Sequence, residues 1–308
     1  MNLKKSAIAL VVAGIVGAPM VASADGAVYG SARYGLESVG NGINYDADGV
    51  PQSQNDEGVV QFRNFGSRFG IKGDRDLGNG MVAFGHWEAH MFGAALRDFK
   101  IGVKGDFGQV YMGDGIDHAW DTFMSTDDTW WYGGGTHLTD GVQSNAITYL
   151  GGAGAVKFGV TAQMKAEGNN ADEEGIDQIE AVVAFDAGPV NIAVGLTDKK
   201  TANNDPDAIV GVVVSGAAGD FGYAFDYQSG DDVSSIQLQG SFGNFLAQYG
   251  TVDIDVSGAP SPSDLVLSYT QNLAKGALMW YEFRSRDLDI DGADTETIVA
   301  ATLRVDIL

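Results

Sequence analysis

The chain of 308 residues contains no cysteine. A disulfide framework is therefore excluded, and so is any site built on thiolates. Proline is scarce, six residues against 44 glycines, which argues against a proline-rich disordered chain and for many tight turns. Basic residues are few, 18 Lys and Arg against 41 Asp and Glu. That balance argues against nucleic acid as a partner, because such binding rests on neutralising phosphates. Only four histidines occur, no Gly-x-Ser-x-Gly elbow is present, and His118 and His137 have no evident nucleophile partner. The chain therefore reads as a non-enzyme. Outside the first residues, no stretch has the run of about 18 apolar residues that a transmembrane helix needs. A membrane role would need strands.

What is present begins with a leader. Lys4 and Lys5 precede an apolar run from Ala7 to Val16, and Ala22-Ser23-Ala24 follows as a small-residue cleavage site. Residues 1–24 are expected to be a signal peptide and 25–308 the folded part. Loss of Lys4 and Lys5 takes the 18 basic residues to 16 against 41 acidic ones, a net charge of −25.

The apolar residues of that part alternate. Val156, Phe158, Val160, Ala162 and Met164 are set against Lys157, Gly159, Thr161, Gln163 and Lys165, and a period of two means strand. The pattern recurs at Ile179 to Phe185, Phe221 to Tyr227, Phe245 to Tyr249, Met279 to Phe283 and Val299 to Val305. Short glycine-rich connections, such as Ala187-Gly188 and Ala217 to Gly219, alternate with longer acidic ones, such as Asp198 to Asp207 and Asp253 to Ser263. All turns then lie at one rim and all loops at the other, the order of an up-and-down membrane barrel. About sixteen strands of roughly ten residues fit the length, a closure wide enough for an aqueous lumen. A secreted β-sandwich is the soluble alternative.

One connection stands apart. About thirty residues separate the strand ending near Gly113 from the one starting near Ser144, and they carry Asp114, Asp117, Asp121, Asp127, Asp128 and Asp140 without Lys or Arg. A loop that long in a barrel is usually functional.

The segments GSRFGIKGDRDLGNG at 66–80 and RDFKIGVKGDFGQVYMG at 97–113 resemble the general porins of Gram-negative bacteria. The early Val28-Tyr29-Gly30 start and the long third external loop extend that resemblance loosely along the chain. It implies an all-β, 16-stranded antiparallel transmembrane barrel in the outer membrane, inserted by the barrel-assembly machinery and assembled as a homotrimer among lipid and lipopolysaccharide. Small hydrophilic solutes and ions would diffuse through it, and no cofactor is implied. The third loop would fold inward, bringing Asp114, Asp117, Asp121, Asp127 and Asp128, with Glu88, to the acidic side of a constriction. Basic residues would line the opposite wall and set up a transverse field. Arg68 matches the family motif, and Arg33 is supported by alternation. Arg97 matches the motif but shares a strand face with Phe99, Ile101 and Val103, which would turn it outward. Two departures are visible. Met112-Gly113-Asp114 stands where relatives often have Gly-Arg, and the end, Ile307-Leu308, is aliphatic where relatives carry an aromatic residue used in assembly.

Sharper readings compete with plain ones at three places. His86, Glu88 and His90 share a strand face, but alternate residues project in parallel about 7 Å apart, so lumen lining outweighs a metal site. Asp287-x-Asp289-x-Asp291-Gly292 copies the opening of a calcium loop yet has Ile298 at the twelfth position. Loose divalent-cation binding by the acidic external loops is what remains of that idea. Trp130, Trp131 and Tyr132 either anchor the long loop or form an aromatic platform that makes the pore solute-selective. The expected function is a cation-preferring diffusion channel; the alternatives are that solute-selective pore or a structural, adhesive barrel.

Overall fold

The computed structural model describes residues 25–45, 51–55, 58–92, 95–115, 117–126, 136–139, 144–164, 176–199, 208–256, 259–290 and 293–307. The leader expected over 1–24 lies outside the described residues.

Among the described residues nineteen strands follow in chain order. They are β1 (Asp25–Gly40), β2 (Gly42–Tyr45), β3 (Pro51–Asn55), β4 (Val59–Asn64), β5 (Arg68–Gly78), β6 (Met81–His90), β7 (Leu96–Gly105), β8 (Gly108–Asp114), β9 (Ala146–Ala153) and β10 (Val156–Met164). After these come β11 (Ile176–Ala187), β12 (Val190–Lys199), β13 (Ile209–Ala218), β14 (Phe221–Gly230), β15 (Val233–Phe242), β16 (Phe245–Ile254), β17 (Ser263–Ala274), β18 (Ala277–Asp287) and β19 (Glu296–Asp306). The hairpin β2–β3 is a separate ribbon. From β5 to β19 each strand pairs antiparallel with its sequence neighbour, and β1 closes the ring by pairing with β19 on one edge and with β4 and β5 on the other.

The strands β4 and β5 are two halves of one barrel stave. Ser31 pairs with Arg68 and Tyr34 with Asn64, so three steps on β1 face four on its partner. That extra residue is a bulge at Phe65 to Ser67. The bulge is held by β1, because Arg33 N donates to Ser67 Oγ at 2.8 Å and Phe65 N to Arg33 O at 2.9 Å. With β4 and β5 counted as one, the barrel has sixteen staves. Closure leaves no sheet edge for a β-sandwich reading to use.

Alternation decides which way each side chain faces. In β11, Ile179, Val183 and Phe185 are exposed on the outside, whereas Gln178 and Glu180 are buried on the inside. In β14, Phe221, Phe225 and Tyr227 face out while Asp226 and Gln228 face in. An aliphatic and aromatic exterior on this scale would be an enormous sticky patch in water. In hydrocarbon it is matched to its surroundings, and the closed ladder pairs the backbone N–H and C=O groups of neighbouring strands.

The connections fall into two rims. Seven links at one rim have two residues each, and turns such as Asn79-Gly80, with φ of 54° and 74°, have the left-handed geometry that a two-residue hairpin demands. The other rim carries the longer links with one exception: Asp231 and Asp232 alone join β14 to β15. The strict alternation of short and long connections expected from sequence thus fails once.

The outward face makes a direct prediction. Val183→Arg, at the middle of a lipid-facing run, should lower barrel stability by about 2–4 kcal/mol. Gln163→Arg, on the inward face, should leave it nearly unchanged. Urea unfolding of the barrel in lipid vesicles measures both.

Candidate functional site

The long link between β8 and β9 enters the barrel. Its one described helix, Ala119–Met124, is short and has no side-chain N-cap. The first N–H groups of a helix lack partners of their own. Here the barrel wall supplies them: Ala119 N donates to Thr161 Oγ1 at 3.0 Å and Trp120 N to Glu180 Oε2 at 3.1 Å. Thr161 and Glu180 are inward residues of β10 and β11, fully shielded from solvent.

Packing completes the dock. Trp120 and Met124 lie over Gly195 of β12 and Gly211 of β13, where an added Cβ would come within 2.8 and 2.7 Å of the indole. Any larger residue there would push the tryptophan off the wall. Ala119 and Phe123 sit likewise over Gly159. The result is an apolar core inside the barrel, made by Tyr111, Trp120, Met124, Leu150, Val182 and Val213 with their neighbours. Further along, Gln237 Nε2 donates to Thr126 Oγ1 at 2.9 Å, and Leu138 N and Thr139 N donate to Gln228 Oε1. His137 Nε2 lies 3.4 Å from Asp226 Oδ2. The described parts of the loop therefore follow the inner wall from β9 to β16.

His118 marks the entry to this dock. It is buried, its Nδ1 lies 2.9 Å from Thr148 Oγ1, and its ring stacks on Tyr111. Burial, with Lys100 nearby, pushes its pKa below the ordinary histidine value.

A different sector of the wall is basic. Arg33 on β1, Arg68 on β5, Arg97 on β7 and Arg304 on β19 all face the lumen, and Arg33 and Arg304 are register partners. Arg33 is 7% exposed and its Nε donates to Ser31 Oγ at 3.2 Å. Arg68 Nη1 lies 3.4 Å from Glu88 Oε1, and Arg97 Nη1 binds the same oxygen.

Arg33 and Arg68 face inward as alternation and motif require. Arg97 also turns inward, against the phase of Phe99, Ile101 and Val103, because the β6–β7 register shifts between Glu88 and Ala89: Glu88 pairs with Asp98 but Ala89 with Leu96. Arg97 is the extra residue of that bulge. Glu88 is not on the acidic loop side, since it lies within the arginine cluster and binds two of its members. Asp114 accepts a hydrogen bond from Asn145 N at 2.6 Å and so ties the neck of the loop. Asp117 pairs with Lys100 at 2.6 Å, and Asp121 sits on the helix, partly buried. Asp127, Asp128, Trp130, Trp131 and Tyr132 lie outside the described residues. In the calcium-like run, Asp287 and Asp289 accept hydrogen bonds from Asp289 N and Ser261 N, and Asp291 lies outside the described residues. Arg304, Glu180, Asp226 and the glycines under Trp120 were not singled out from sequence. An inward glycine or acid between lipid-facing neighbours is the signal that would have found them.

A closed barrel with an apolar exterior, a polar lumen and a loop packed along its inner wall defines a membrane-spanning β-barrel of the channel type. The chain matches the family model described as Gram-negative porin over residues 7–289. It is 33% identical over 119 residues to the major outer membrane protein P.IB of Neisseria meningitidis, covering 36% of this chain and 33% of that protein. With the outer membrane porin protein 32 of Delftia acidovorans the identity is 27% over 257 residues, 70% of this chain and 72% of that one. Among solved structures, an anion-selective porin from Comamonas acidovorans superposes with a TM-score of 0.68 at 19% identity, covering 92% of this chain and all of that one. The match spans about a third of the length of the Neisseria relatives. The chain belongs to the Gram-negative porin family. That membership places it in the outer membrane, in a family of channels and not of enzymes.

Two outcomes follow from the dock. Trp120→Ala should cost about 3–5 kcal/mol of stability, as loss of a large buried aromatic does, read by thermal unfolding in detergent. His118 binds a proton less readily in the dock than when released, so docking is strongest above about pH 6.5 and weakens as the pH falls below it. Protease cleavage of the loop should accelerate on acidification in the wild type. In His118→Asn, which cannot charge, the rate should stay flat.

Proposed function

We propose that this porin is a water-filled channel for passive diffusion of small hydrophilic solutes and ions. The single observation that carries the reading is the sixteen-stave closure with its polar inner wall, since a barrel this wide cannot be filled by its own side chains. The chain works as a homotrimer surrounded by lipid and lipopolysaccharide after delivery to the assembly machinery, a reading supported by the family resemblance.

The channel prefers cations. Support comes from the acid excess, 41 Asp and Glu against 18 Lys and Arg, and from the aspartates of the third loop. Fixed negative charge concentrates counter-ions at the mouth and in the lumen. Arg33, Arg68 and Arg97, with Arg304, form the basic side of a transverse field, and Asp121, Asp127 and Asp128 the acidic side. One observation favours a second reading, anion preference: four arginines line one sector with Glu88 shared between two of them.

Reconstitution in a planar bilayer under a salt gradient separates these readings. A reversal potential of cation-selective sign is expected, and Asp121→Asn combined with Asp127→Asn should move it toward anions. The opposite sign in the wild type would establish anion preference, and absence of conductance would end the channel reading.

A further inference from the structure

Three oxygens on the inner wall, in the stretch where the loop is docked, accept no hydrogen bond. They are Asp226 Oδ1 on β14, Gln237 Oε1 on β15 and Gln248 Oε1 on β16. Their residues are 2%, 2% and 4% exposed, so bulk water does not serve them. A buried polar atom without a partner is costly, and folded proteins leave few of them.

Topology gathers these side chains. Asp226 and Gln237 are register partners, and Gln237 faces Gly250, two residues along the same strand face from Gln248. Side chains so placed start roughly 5 Å apart across a pair and roughly 7–8 Å apart on the diagonal, within reach of a glutamine. Gly250 leaves a gap in the wall, and the loop fills it with Thr136, whose hydroxyl a Cβ at that glycine would strike. Thr126, the other loop residue at this place, accepts from Gln237 Nε2 at 2.9 Å. Both threonines are buried.

The chemistry of the place is one-sided, because all three unsatisfied atoms are acceptors. Asp226 Oδ2 accepts from Gln228 Nε2 at 3.0 Å and has His137 Nε2 at 3.4 Å, which leaves Oδ1 over. Gln228 Oε1 is itself spent on Leu138 N and Thr139 N. Among the described residues no Lys or Arg pairs with Asp226. A single water has two protons to give and would leave one of the three oxygens short. A cation serves all of them at once. Oxygen ligands select a hard cation, and flexible amides and hydroxyls suit calcium, which takes six to eight oxygens at about 2.3–2.6 Å, better than magnesium with its strict octahedron.

We propose that the wall and the third loop share a calcium-class cation site, with Asp226 as the charged ligand, Gln237 and Gln248 as neutral ligands from the wall, and Thr126 and Thr136 as ligands from the loop. The site differs from a multi-carboxylate centre, since among the described residues no three His, Cys, Asp or Glu gather to hold a metal. One carboxylate sets a weak affinity, with Kd on the order of 10⁻³ M. Thr126 and Thr136 are ten positions apart in the chain, so one ion ties two points of the loop to the wall. The inference stands on the docked loop and not on the channel's conductance or ion preference.

Protease cleavage of the loop tests it, in the purified mature channel in detergent free of lipopolysaccharide, with a protease that itself needs no calcium. Calcium at about ten times Kd should slow wild-type cleavage about tenfold, because only the docked loop holds the ion. Magnesium should do less. Asp226→Asn and Gln248→Met keep the shape of the side chains and should lose the response, each measured against its own calcium-free rate. Asp289→Asn, at an external carboxylate, should keep it. A wild type indifferent to calcium overturns the inference: water then fills the place, or Gln237 turns its amide to Asp226. A full response in Asp226→Asn or Gln248→Met, or its loss in Asp289→Asn, overturns it too, since the ion then acts elsewhere. Absence of conductance in a bilayer would end the channel reading and leave this one standing.

Discussion

Backbone pairing in hydrocarbon is the constraint from which the rest of this structure follows. A peptide group inside the membrane has no water to turn to, so each strand must find partners on both edges. The first strand meets that demand by joining β19 on one side and the β4–β5 stave on the other. Once the ring is closed, each residue has one of two fates, lipid or lumen. A slip of one residue would exchange them all along a strand. The permitted departures are local, and two fall beside the arginines. The break at Phe65 to Ser67 frees Ser67 to bind the Arg33 backbone, and the shift at Glu88 and Ala89 turns Arg97 inward.

Closure at this width creates a second problem, an interior that side chains cannot fill. The protein answers it with its own chain. Residues 117–126 and 136–139 lie along the inner wall, and what holds them is an exchange of groups that neither side could satisfy alone. The helix Ala119–Met124 brings unpaired N–H groups and a large indole. The wall brings Thr161, Glu180 and a row of inward positions without side chains. Glycine in a strand usually weakens it. At Gly195 and Gly211 the vacancy is instead the seat of Trp120.

The legible part of this molecule is the part governed by period two. Ile179, Ala181, Val183 and Phe185 announce a lipid face because the exterior imposes a simple rule on every second residue, and the two-residue turns announce themselves through glycine. Arg97 was not legible, because a bulge breaks the phase from which its direction would be read, and nothing in Leu96-Arg97-Asp98 marks the extra residue. Glu88 was placed on the wrong side for a related reason. Its strand face was correct, yet membership in the arginine cluster depends on three-dimensional neighbours on β5 and β7. The seat of Trp120 joins residues some 75 to 90 positions apart in sequence, and no local pattern encodes such a meeting. Asp231-Asp232 shows the limit of a rule about rims: the loop side tolerates length but does not require it.

The placement of the lumen arginines follows from where the loop is able to dock. Its seat needs inward glycines and uncharged or acidic anchors, and those occur on β10 to β16, at Gly159, Thr161, Glu180, Gly195, Gly211 and Gln228. The lumen arginines stand on β1, β4, β5, β7, β18 and β19, outside that stretch. Had Arg68 or Arg97 occupied β12 or β13, its guanidinium would have had to lie beneath Trp120, unhydrated and without the carboxylate it now binds, at a cost of several kcal/mol. A wall that carries guanidinium groups is tolerated only where the loop does not cover it. The same packing that narrows the barrel therefore keeps guanidinium groups off the wall that the loop covers, while the acids Glu180 and Asp226 lie beneath it as partners of the loop.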